Sequence, residues 1–83
     1  MSMGLATRAI IEMLLRSRDF CASERDVRRL LKSYGYSEKS AYVYIHRLSK
    51  KGIINRHRVG ATVQLCLKLE KLRDLGLVLI LVR

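Results

Sequence analysis

The chain has 83 residues, enough for one small hydrophobic core and not for two. A composition of 49% hydrophobic and 29% charged residues describes a folded domain and excludes a disordered chain, and with no proline nothing reads as a rigid spacer. The formal net charge of +10 speaks about partners: nucleic acid first, with an anionic membrane or plain solubility as blander accounts.

In chain order, residues 5–17 read as a first helix. Ala6, Ala9, Ile10, Met13 and Leu14 form its core stripe. Ile11 and Leu15 fall on the other side, one turn apart, as scattered surface apolars or as a contact with something else. Arg8, Glu12 and Arg16 recur at i+4 inside this stretch, which fits an amphipathic helix and not a secretory signal. Phe20 and Cys21 follow as a very short strand. Ser23 then caps a second helix, with Asp26 three residues on in a near capping box. Val27, Leu30, Leu31 and Tyr34 mark its apolar stripe. Arg25, Arg28, Arg29 and Lys32 mark its outer face, which is either solvated or on backbone phosphate. Gly35 ends that helix.

The third helix, residues 37–51, has two distinct faces. Ser37 is its N-cap and Gly52 its left-handed stop. Ala41, Ile45 and Leu48 form one apolar stripe, with Tyr44 beside it. The other face carries Lys39, Ser40, Tyr42, Val43, His46, Arg47 and Lys50 and almost no acid. Hydroxyls, an imidazole, an aromatic ring and cations are the groups that meet base edges and phosphates. Charge is concentrated here too. Residues 37–58 hold Lys39, Arg47, Lys50, Lys51, Arg56 and Arg58 against Glu38 alone, so half of the +10 surplus lies in about a quarter of the chain.

After Gly52 the period changes to two. Ala61, Val63, Leu65, Leu67 and Leu69 alternate with Thr62, Gln64, Cys66 and Lys68, which predicts a half-buried strand. With residues 54–58 and a turn at Gly60 it makes a hairpin whose tip is basic.

Helix, short strand, helix, glycine turn, helix and hairpin is the element order of the winged helix-turn-helix domain. The stretch SEKSAYVYIHRLSKKGIINRHRVGATVQLCL resembles the recognition helix and wing of small prokaryotic and archaeal-type winged-helix transcriptional regulators. The likeness rests on a serine-led helix ending in Leu48, then Lys50, Lys51 and Gly52, then Ile53 and Ile54 opening the wing. It covers residues 5 to 69. It implies a mainly α fold with a small β-sheet and a DNA-binding domain over residues 1–69; residues 70–83 lie outside it, as an extension that completes the sheet or dimerises.

The resemblance also implies residue roles. Lys39, Ser40, Tyr42, Val43 and His46 would face bases in the major groove. Arg47 and Lys50 would lie toward the flanking phosphates, and beside what the resemblance implies Ser37, Lys51 and Arg28 are further candidates for the backbone. Arg56, His57 and Arg58 in the wing, residues 54–62, would touch backbone or minor groove. Val43 departs from the family, where arginine or a polar residue is common, although it can pack on a thymine methyl. The family's pairing of the short strand with the second wing strand would also make Cys21 and Cys66 cross-strand neighbours, able to form a disulfide. A cytosolic location, the expectation here, by default leaves both reduced.

Residues 70–75 read as one or two helical turns. Residues 77–82 have no polar position and read as a strand covered on both faces, or as part of one C-terminal helix from Lys68. Together with Ile11 and Leu15, the side chains Leu77, Leu79 and Leu81 suggest a self-complementary homodimer interface.

No nucleophile elbow, glycine-rich phosphate loop or metal-ligand spacing occurs. His46 and His57 lie eleven apart with no acid or cysteine placed to complete a site. The longest apolar run, six residues, is far too short for a membrane span. The expectation is a non-enzymatic, cofactor-free regulator that binds double-stranded DNA, with no membrane partner and no small-molecule effector. The alternative is an interaction module using the same frame on RNA or protein.

Overall fold

A computed structural model describes residues 4–74, which are mainly helical with a small three-stranded antiparallel sheet. The order is α1 (Leu5–Arg16), a 3-10 turn (Arg18–Phe20), β1 (Cys21–Ser23), α2 (Glu24–Ser33), α3 (Glu38–Lys50), β2 (Ile54–Val59), β3 (Thr62–Leu67) and α4 (Leu69–Asp74). The sheet order is β1-β3-β2, so β3 is the central strand.

Local signals set the helix ends. The Ser23 hydroxyl accepts the Asp26 N–H at the start of α2, and Ser37 does the same for Ser40 at the start of α3. Gly35 (φ +95°) and Gly52 (φ +80°) take the left-handed backbone that closes each helix. Between these caps the apolar stripes converge. Ala6, Ile10 and Leu14 of α1, Val27 and Leu31 of α2, and Ala41, Ile45 and Leu48 of α3 meet Ile54 and Leu65 of the sheet. Period-two alternation holds on β3. Leu65 and Leu67 face the core, while Gln64 and Cys66 face away.

Two expectations about the core and one about the short strand need correcting. Ile11 is fully buried and belongs to the core of the single chain, so it is not a surface residue available to a partner. The reason is that α1 is covered on more than one side, by α2, by α3 and by β3. Leu15 is only partly buried and packs against the same core. Tyr34 does not extend the α2 stripe. It caps the C-terminus of α2 and stays 52% exposed. Phe20 does not join the short strand, which begins at Cys21; it lies exposed in the turn before it, where Asp19 and Phe20 both adopt left-handed backbone (φ +55° and +58°). That conformation is tolerable for aspartate and strained for phenylalanine.

After the hairpin, α4 returns Leu72 to the core at 0% exposure. The expectations for Leu77, Leu79 and Leu81 lie outside the described residues. No helix among the described residues is long and apolar enough to cross a membrane.

Candidate nucleic-acid interface

The exposed face of α3 is built by helical spacing. Lys39, Tyr42, Val43, His46, Arg47 and Lys50 all reach solvent, while Ala41, Ile45 and Leu48 on the opposite stripe are buried. Tyr42 and Val43 sit side by side at 45% and 41% exposure, an apolar contact area amid the cations. Ser40 differs. It is half-buried and its hydroxyl accepts from Ser37, so its role is to close the helix start. Ser37 is likewise engaged as the cap. Tyr44 lies off this face and packs edge-to-face on Tyr36, with ring centroids 5.5 Å apart.

Arg28 is placed differently from the expectation. Its guanidinium is 3.0 Å from Glu38 and lies over the Tyr42 ring, 5.0 Å from the centroid. The cause is geometric: α2 and α3 pack so that Arg28 reaches the first turn of α3. Arg28 is therefore a strut between the helices rather than an unpaired cation for phosphate. It also cancels the one acid of residues 37–58 and holds the Tyr42 ring from behind.

The wing does not present its three basic residues together. On β2, Arg56 and Arg58 share the face of Val63 and Leu65, and His57 points to the other face. Arg56 turns back to Glu24, at 2.9 Å, as a charge contact outside hydrogen-bond alignment. Glu24 is 7% exposed, and a buried carboxylate needs such a partner. Sequence reasoning missed Glu24. As an acid in the first turn of a helix it looked ordinary, and nothing local links it to a residue 32 positions on. His57 lies beside the sheet's outer face, with Nε2 3.3 Å from Cys66 Sγ.

Cys21 and Cys66 are register partners of β1 and β3 and are joined in a disulfide. The reduced default is thus overturned. The strand pairing that the family resemblance implied sets the two cysteines opposite each other, with Cα atoms 4.0 Å apart.

The charge that remains is one-sided. Among the described residues there are three ion pairs: Arg8–Glu12, Arg28–Glu38 and Arg56–Glu24. Once these are formed, residues 37–58 keep Lys39, Arg47, Lys50, Lys51 and Arg58 without an ion-pair partner among the described residues, and no unpaired acid. Arg47 also lies 5.7 Å from the Tyr44 ring centroid, which leaves its charge available. Such a surface can hold a polyanion. Among the described residues no group of three or more His, Cys, Asp or Glu is placed to hold a metal ion. No protein-family model and no curated protein matches the chain.

Proposed function

We propose that the chain is a winged helix-turn-helix protein that binds double-stranded DNA as a transcriptional regulator. Helix α3 enters the major groove, and the β2–β3 hairpin lies along the backbone. One observation carries this reading: the exposed side of residues 37–58 keeps five cations with no acid left to compensate them. Tyr42, Val43 and His46 lie among those cations and supply an edge capable of base contact. The backbone-contacting set is narrower than the sequence suggested. It is Arg47, Lys50, Lys51 and Arg58, with Arg28 and Arg56 holding the frame. A homodimer on a palindromic site belongs to the same proposal, resting on the polar-free sequence of residues 77–82 and no longer on Ile11.

The test is a competition at physiological salt. Labelled random-sequence duplex DNA is challenged with unlabelled duplex, structured RNA and single-stranded DNA. Duplex should compete best. Equal or better competition by structured RNA would replace the DNA reading with an RNA-binding one, and the absence of any binding would leave the charge as a solubility feature.

A further inference from the structure

The outer face of the sheet carries chemistry that nucleic-acid binding does not use. The Cys21–Cys66 bridge lies there, and neither cysteine is buried. The two sulfurs have opposite surroundings. Cys66 Sγ is 3.3 Å from the imidazole Nε2 of His57, on the neighbouring strand β2. Cys21 Sγ is 3.2 Å from the carbonyl oxygen of Asp19. The His57 ring, when its Nε2 carries a hydrogen, can donate a hydrogen bond to a thiolate formed on Cys66. A carbonyl oxygen can only accept, so it favours the S–H form and repels the anion. The bridge also begins directly after two left-handed residues, Asp19 and Phe20, whose backbone is held in place by the pairing of β1 with β3.

We propose that this face is a thiol–disulfide exchange site for small thiols, in which Cys21 accepts the incoming sulfur and Cys66 departs as the thiolate held by His57. A thiolate RS⁻ attacks Cys21 Sγ and forms a mixed disulfide. The Sγ–Sγ bond breaks and its electron pair goes to Cys66. A second RS⁻ then attacks the small-thiol sulfur of the adduct and releases RSSR. Cys21, released as a thiolate, and Cys66 each take up one of the two protons that the RSH molecules lost, and the Cys21 S–H then donates a hydrogen bond to the Asp19 carbonyl oxygen. The balance is one protein disulfide and two RSH giving two protein thiols and RSSR. The direction of attack follows from the leaving group, since the sulfur whose thiolate is better stabilised leaves faster. Both cysteines are only half-buried, which places the bridge within reach of a small thiol in the folded chain.

The test uses the full chain purified without reductant. It is incubated with glutathione, quenched with N-ethylmaleimide in acid, digested and mapped by mass. Glutathione on Cys21 with maleimide on Cys66 is the expected product. In His57→Ala, with an unchanged far-UV circular dichroism spectrum, adduct formation should slow by about fivefold or more and the preference for Cys21 should fade. If His57→Ala does not fold, His57→Gln is measured the same way, and the adduct map of the unaltered chain still decides. Glutathione on Cys66, equal labelling of both cysteines, or a bridge that glutathione leaves intact would overturn the proposal. So would two maleimide-labelled cysteines before any glutathione is added.

Discussion

In the proposed reading Tyr42 joins the packing of α2 on α3 to base contact. One face of its ring receives the Arg28 guanidinium, and 45% of the residue stays open to solvent. A ring held from behind loses less side-chain freedom when it meets a base, so its contact is preorganised. His46 lies one helical turn further along the same face, and Lys50 one turn beyond that. This order separates the groups by role. Tyr42→Ala and His46→Ala should blunt the preference for a selected site over random duplex, each by about 1–3 kcal/mol. Lys50→Ala and Arg58→Ala should weaken all duplexes alike, because phosphate contacts carry no sequence information. Titrations of each variant against the selected and a scrambled duplex check this. A Tyr42→Ala variant with unchanged affinity and unchanged preference would remove α3 from the groove.

At the scale of elements, the short strand β1 is tied to the central strand twice, by ladder pairing and by the Cys21–Cys66 bond. The bond spans a sequence separation of 45. Closing a loop of that size restricts the unfolded chain by about 4 kcal/mol on the chain-entropy account. The double variant Cys21→Ser, Cys66→Ser should therefore lose stability of that order in urea unfolding compared with the oxidised chain. A loss below about 1 kcal/mol would mean that the bond constrains little. Most elements were legible in the sequence because their signals are local. Ser23 and Ser37 cap, Gly35 and Gly52 stop, and residues 62–67 alternate, so helices and hairpin came out within one or two residues. The exposed side of α3 was legible for the same reason. What was hidden depends on packing between distant segments. Ile11 looked like a surface residue because a helical stripe reveals one buried side and not how many neighbours surround the helix. Arg28 and Arg56 looked like free cations because their partners, Glu38 and Glu24, lie across element boundaries. The cysteine bond was masked by an assumption about compartment, which strand register overrode.

For the whole molecule, the formal charge of +10 matters less than where it stays uncompensated. Glu12, Glu24 and Glu38 each pair with an arginine, and two of these pairs link separate elements of the fold. The fold thus uses acids to lock Arg28 and Arg56 in place and leaves five cations of residues 37–58 facing outward. Exposed charges of this kind release condensed counterions when they meet a duplex, so affinity should fall linearly in log K against log salt. If one copy engages the four backbone-contacting cations Arg47, Lys50, Lys51 and Arg58, the slope is about −3.6, and two copies acting together on one site give about −7. The slope therefore reports the number of chains on the DNA as well as the nature of the contact. Light scattering of the free full chain at micromolar concentration supplies the independent count. A dimeric mass with the steeper slope fits two recognition helices about one helical turn, roughly 34 Å, apart on a palindrome. A monomeric mass with a slope near −4 removes the dimer and keeps the interface. A slope near zero between low and physiological salt would remove both, because then the five cations meet no phosphates.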